Sequence, residues 1–309
     1  MSHRVALTFV STLLALLLGA AAATAAERSS AKTAENSAAP TPATDRYAKG
    51  LLWKIERSGQ KPSYLFGTIH ISDLRVTTLP VPVRETFDAA QSFTMELIAG
   101  GAGLVHMAEM MFFNDGRTLE GTIGAQRYAE VRRALTARGV PVGDLNKKKP
   151  WVVVMLLSTP AQTGVPLDLQ LQVRATLQNK PTYGLETMQE QIAVFNDLSM
   201  ADQVALLDDT LRYHREVDKL LEAMVQAYVA RDLARLMTIM DSANTGDARL
   251  RDTVMERLLA NRNVRMVERM CARLDDGNAF IAVGAAHLPG ERGLLALLEQ
   301  AGYRTTPLY

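Results

Sequence analysis

Cysteine is nearly absent from this chain: among 309 residues only Cys271 carries a thiol. One thiol excludes an internal disulfide, a cysteine-based zinc site and a cysteine-ligated iron–sulfur cluster. Neither charge is in excess, with 34 Lys plus Arg against 33 Asp plus Glu and a formal charge of +1. Broad electrostatic binding to nucleic acid or anionic lipid needs a surplus of positive charge. No nucleic-acid partner is therefore expected. Three catalytic signatures are also missing: His-Glu-x-x-His, Gly-x-Ser-x-Gly and Gly-x-x-x-x-Gly-Lys. The zinc-protease helix, the nucleophile elbow and the phosphate-cradling loop encoded by those patterns go with them. What is present, 48% hydrophobic and 22% charged residues, is the balance of a folded protein.

The amino terminus reads as an address. Met1 to Arg4 carries positive charge, Val5 to Leu18 is almost uninterruptedly apolar, and Ala20 to Ala26 is rich in small residues. That order is a secretory signal peptide over residues 1–26, cleaved after Ala25 or one residue later. The apolar run is shorter than the ~20 residues a spanning helix needs, so no stable membrane span is expected after cleavage. No cysteine follows it to carry a lipid. Residues 27–45 are Ala, Ser, Thr and Pro without apolar periodicity, the composition of a disordered tether. The expectation is an exported protein, periplasmic or secreted, with a single folded domain over residues 46–309. With one thiol in an oxidising compartment, its stability must come from packing.

The apolar period then changes along the chain. Leu51 to Glu56 and Tyr64 to Phe66, separated by Ser58-Gly59-Gln60-Lys61, read as two short strands. Ser92 to Leu97, Pro181 to Glu186, Ala279 to Val283 and Tyr303 to Leu308 read as four more. Helical spacing marks 83–90, 104–113, 125–138, a methionine-rich block from Val217 to Met240 with a polar break, 249–273 as one or two basic helices, and 290–300. Trp151 to Leu157 is ambiguous between buried strand and helix. Strands at both ends bracket a helical middle. The fold class is therefore α/β or α+β, with a central mixed sheet built from both ends and a large helical insertion.

One local pattern occurs twice. Gly67-Thr68-Ile69-His70 and Gly284-Ala285-Ala286-His287 each follow a strand directly. Ligands bind where strands end, because the backbone leaves the core there. Glycine lets the chain turn sharply or approach closely. Two imidazoles from opposite ends of the chain can meet only if their strands are neighbours. Imidazole is the commonest zinc ligand and also suits iron, nickel and copper, while oxygen ligands shift preference toward manganese. Two acids hold similar strand-end positions, Glu96 and Glu186. A buried carboxylate there needs a metal or a cation as partner; otherwise these are surface salt-bridge residues. His70, His287 and Glu96 are the candidate metal ligands, with Glu186 a fourth ligand or the general base on a metal-activated water. His106 and His214 lie in helical stretches and read as structural or solvated.

These segments resemble the TraB/GumN family, related to the Tiki metalloproteases and more distantly to the erythromycin-esterase and ChaN-like group. The resemblance spans about Leu51 to Leu308. It rests on LLWKIERSGQKPSYLFGTIHISD, the strand with Glu96, PTYGLETMQEQIAVF, AYVARDLARL, NRNVRM and AFIAVGAAHLPGERGLLALLEQAGYRTTPL. It implies a central sheet and metal-dependent hydrolysis of a peptide or protein substrate at an amide bond. His70 and His287 match the paired histidines, and Glu96 and Glu186 the acids. Arg262 matches an Arg-Asn pair and is suited to steadying an oxyanion or substrate. The divalent cofactor expected is manganese, cobalt or zinc. Family kinship also leaves room for a non-catalytic scaffold in envelope or polysaccharide assembly, or for an ester-cleaving or haem-handling relative.

Overall fold

The computed structural model describes residues 46–98, 100–159, 164–242 and 247–309. The expected signal peptide and tether lie outside the described residues. Six strands form one mixed sheet: β1 (Leu52–Glu56), β2 (Ser63–Thr68), β3 (Ser92–Leu97), β4 (Thr182–Glu186), β5 (Ala279–Gly284) and β6 (Arg304–Pro307). Their order is β4-β3-β5-β2-β1-β6. The first four in that order run parallel, and β1 is antiparallel to both β2 and β6. The two ends of the chain do pair in one sheet, as their strand patterns require. β5, with all six residues buried, is the central strand, and its uninterrupted apolar run is what burial on both faces demands.

The helices in chain order begin with α1 (Leu74–Thr77), α2 (Val81–Ala89), α3 (Gly101–Met111), α4 (Leu119–Ile123) and α5 (Ala125–Ala137). The middle of the chain adds α6 (Pro150–Ser158), α7 (Leu167–Leu177), α8 (Met188–Asn196) and α9 (Met200–Tyr213). Then come α10 (Val217–Val229), α11 (Leu233–Ser242), α12 (Ala248–Met255), α13 (Asn261–Asp276) and α14 (Leu294–Gln300). Phe87 of α2 packs on Phe93 and Phe280, with ring centroids 5.4 and 5.1 Å apart, and so joins α2 to β3 and β5.

Several boundaries depart from the sequence pattern. The ambiguous 151–157 run is helix α6: Pro150 occupies its first turn, where a missing N–H costs nothing. Its residues are apolar on every side because the helix is buried on every side. The basic stretch is two helices, α12 and α13, run together through a π turn over Glu256–Ala260. The polar break in the methionine-rich block turns at Arg231, with φ of 57°. The last helix starts at Leu294, not Gly290, because Gly290 has φ of 91° and Gly293 sits where a Cβ would lie 2.1 Å from the Pro289 carbonyl oxygen. Helices α1, α4, α7, α8 and α9 have no counterpart in the sequence pattern. For α8 a signal existed, the capping box of Thr187 and Glu190.

Gly67 marks where the two glycine-x-x-histidine turns touch. A Cβ there would stand 2.8 Å from Leu288 Cδ1 and 3.1 Å from Ala285 Cα. Gly67→Ala should therefore cost about 1–3 kcal/mol through overpacking. Gly143→Ala, where a Cβ meets nothing within 4 Å, should stay within about 0.5 kcal/mol. Urea unfolding of both variants measures the contrast, and equal stabilities would refute it.

Candidate functional site

The parallel arrangement brings the carboxyl ends of β4, β3, β5 and β2 to one edge. Glu186, Glu96, His287 and His70 stand there in that order across the sheet. β2 and β5 are adjacent, with Thr68 opposite Gly284, so the two histidine loops leave from neighbouring strands. All four side chains are buried, as is Arg262 on α13. β3 is fixed to the second motif directly: Glu96 Oε1 accepts from the Gly284 N–H at 2.6 Å.

Arg262 is 0% exposed and joins the two acids. Its Nε donates to both Glu186 oxygens at 3.0 Å. Its Nη2 donates to Glu186 Oε2 at 2.5 Å and to Glu96 Oε2 at 2.7 Å, and its Nη1 to the Leu258 carbonyl at 3.1 Å. Gln191 Nε2 adds a contact to each acid at 3.3 and 3.4 Å. Burial alone would raise the Glu96 pKa, but Arg262 above all, with His70 and the Gly284 N–H, holds it at about 2. Burial likewise works against the Arg262 charge, and the two carboxylates more than offset it. The acids are therefore not surface salt-bridge residues: they meet a buried cation from this chain.

Hydrogen bonds decide the tautomer of His287. Asn263 Nδ2 donates to the Arg292 carbonyl at 2.8 Å, and a carbonyl can only accept. The amide is thereby oriented with Oδ1 toward the ring, where His287 Nδ1 donates to it at 2.5 Å. The proton is on Nδ1, so Nε2 presents a lone pair. That atom is buried without a hydrogen-bond partner and lies 3.7 Å from Glu96 Oε1. Burial, then the Arg262 charge, depresses the His287 pKa to about 3, and the ring is neutral.

His70 is held in a different way. Its Nδ1 donates to Asp168 Oδ2 at 2.7 Å, while Thr68 Oγ1 donates to Asp168 Oδ1 at 2.5 Å. Burial would lower the His70 pKa, but the Asp168 carboxylate outweighs it and the net shift is upward. Each histidine thus has its Nδ1 hydrogen engaged by an oxygen, which fixes the orientation of the ring. This is the usual outer support of metal-binding imidazoles.

Among the described residues, no group of three or more His, Cys, Asp and Glu is gathered tightly enough to hold an ion as it stands. The orphaned Nε2 of His287 nonetheless fits one. An unprotonated nitrogen facing a carboxylate oxygen places two acceptors together, an arrangement a cation relieves. Two atoms bonded to one ion at about 2.0–2.2 Å lie at most about 4 Å apart, and the 3.7 Å separation is within that limit. His106 Nε2 contacts Gln189 and His214 Nδ1 contacts the Leu211 carbonyl. Asp168, Asn263 and Gln191 were not singled out from the sequence. Asn263 had a signal in its neighbour Arg262, and Gln191 in its place one turn beyond Glu186. Asp168, a lone acid in an apolar stretch, had none.

Comparison with known proteins identifies the family. The TraB/PrgY/gumN family pattern matches residues 51–307. The chain belongs to that family. Metalloprotease TIKI2 of Danio rerio is 24% identical over 318 residues, covering 85% of this chain and 61% of the relative. Metalloprotease TIKI1 of Homo sapiens is 25% identical over 307 residues, covering 82% and 60%. The uncharacterized protein YbaP of Shigella flexneri is 27% identical over 254 residues, covering 79% and 90%. The chain spans about three fifths of the length of these TIKI relatives. No solved structure matches. Family membership thus places the chain among proteins that include named metalloproteases.

Two outcomes follow for the residues around the histidines. Arg262→Met strands two buried carboxylates and should cost about 3–5 kcal/mol; a urea midpoint unchanged from wild type would contradict the clamp. Asn263→Leu removes the Nδ1 acceptor, so His287 should move its proton to Nε2 and donate to Glu96. Nitrogen-15 shifts of the His287 ring in metal-free protein report this directly. An unaltered tautomer would show that Asn263 does not set it.

Proposed function

We propose that this protein is an exported metal-dependent hydrolase that cleaves peptide or related amide bonds. The observation that carries the reading is the buried, hydrogen-free Nε2 of His287 beside Glu96. It stands on the strand edge shared with His70, in a family with named metalloproteases. His70, His287 and Glu96 are the residues that would hold a divalent ion, with manganese, cobalt or zinc the candidates. When bound, such an ion would polarise the scissile carbonyl and lower the pKa of a water.

The other residues have roles the chain itself defines. Asn263 and Asp168 aim the imidazoles. Arg262 keeps Glu96 ionised at depth, with its donors directed at Glu96, Glu186 and the Leu258 carbonyl, and a substrate oxyanion would feel its charge only across these carboxylates. Glu186, with both oxygens on Arg262, anchors that guanidinium; it is also the remaining carboxylate that could serve as base or additional ligand. Export rests on the charged, apolar and small-residue order of residues 1–26, with 27–45 as tether and 46–309 as one domain. Among the described residues no helix is long and apolar enough to cross a membrane.

One observation favours a second reading. Arg262 already neutralises buried carboxylate charge without any ion, as a scaffold that kept the fold without catalysis would need. Metal content of the mature protein, purified without chelator, separates the two. The hydrolase should carry a stoichiometric ion that His70→Ala/His287→Ala removes, with peptide cleavage lost in parallel in a manganese, cobalt and zinc screen. Protein that takes up none of these ions and is not stabilised by them would favour the scaffold.

A further inference from the structure

β4 is the last strand of the sheet on the side of the two acids, with β3 as its one neighbour. The Phe93 N–H donates to the Pro181 carbonyl at 2.9 Å, and Phe93 and Met95 stand opposite Thr182 and Gly184 in the parallel register. In such a ladder alternate residues turn their main-chain groups to alternate sides. Pro181, Tyr183 and Leu185 therefore bond to β3, while Thr182 and Gly184 point their N–H and C=O away from it. Among the described residues none pairs with these outward groups. Thr182 is half-exposed and Gly184 exposed. Both large side chains flanking this edge are tied elsewhere. Lys180 Nζ donates to the Asp88 and Ala90 carbonyls. The Tyr183 ring lies under Arg273, with the guanidinium 4.2 Å from the ring centroid.

We propose that this free edge binds the substrate peptide as an added strand, held through its main chain. The proposal rests on the hydrolase reading above and names its substrate class: an extended, unfolded segment rather than the surface of a folded protein. A row of unpaired main-chain donors and acceptors is a template for another chain. Sheets usually guard such rows with charge or proline. The opposite edge, β6, has both in Arg304 and Pro307, whereas β4 has neither from Thr182 to Leu185. The strand also leads to the site. Glu186 lies about 7 Å beyond Gly184 at the rise of a strand, and Arg262 holds it beside Glu96. A peptide paired along Thr182 and Gly184 is thereby delivered to the acidic end of the histidine edge. A second copy of this chain is the competing occupant. Two outward-facing residues fall far short of the roughly 1,000 Å² that a stable interface buries, but they suffice to align a short segment.

The probe is a capped pentapeptide of alternating Thr and Val, compared with the same peptide N-methylated at its central amides. In metal-free mature protein the Thr182 and Gly184 amide signals should shift on adding the first peptide and not the second. Equal responses, or none, would overturn the proposal. Thr182→Pro removes one outward N–H and leaves the β3 ladder intact, since edges tolerate proline. It should weaken binding roughly fivefold, with a urea midpoint near wild type confirming the fold. Should that variant fail to fold, the methylated peptide still decides. With manganese, cobalt or zinc bound, the unmethylated peptide should be cut, and Thr182→Pro should lower kcat/KM by a similar factor through KM. Cleavage with unmoved amides and an unchanged kcat/KM would overturn the edge proposal while leaving the hydrolase reading intact. If the amides respond and no peptide is cut, the edge stands as a peptide site and the hydrolase reading fails. A dimer in sedimentation that Thr182→Pro dissolves, with amide signals that follow protein concentration instead of peptide, would assign the edge to a second copy and overturn the proposal.

Discussion

The arrangement at the strand edge depends on one buried guanidinium. Arg262 is inaccessible to solvent and bonded to two carboxylates from different strands. A buried ion pair of this kind is weak evidence of net stabilisation, because desolvating three charges offsets much of their attraction. Its consequence is geometric. With its donors directed at Glu96, Glu186 and the Leu258 carbonyl, Arg262 ties β3, β4 and the start of α13 into one unit. Asn263, the next residue, is thereby brought to His287. The clamp and the tautomer support are consecutive residues on one helical turn.

The two histidines are equivalent in motif but not in environment. His287 rests on a neutral amide under an adjacent positive charge and is neutral; His70 rests on a carboxylate and is the more basic ring. Identical local patterns acquire different chemistry because pKa follows burial and neighbouring charge. The sheet supplies the common edge, while α7 and α13 supply the difference.

The same edge relates chemistry to shape. The four motif spacers line a small apolar recess beside His70, and Asp168, Glu96 and Arg262 belong to the polar network of the same edge. Polar groups there are paired within the chain, with the Nε2 of His287 as the exception among the site's side chains. An apolar wall next to a concentrated set of charges is the general layout of a small-ligand or substrate site.

Much of this was legible without coordinates. Alternating and continuous apolar runs at both ends announced the strands, since burial on a sheet imposes its period on adjacent residues. The repeated glycine-x-x-histidine pattern identified both imidazoles, because a strand exit is a local event. Glu96 and Glu186 were visible as acids at strand ends, though their partner was not. Asp168, Asn263 and the orientation of each ring were decided only by the tertiary structure. A hydrogen-bond partner is chosen by distances of a few ångströms between segments as much as 188 residues apart, and no local period records those distances. The helical character of 151–157 likewise awaited the fold, because an apolar run buried on every side has no polar face to show its period.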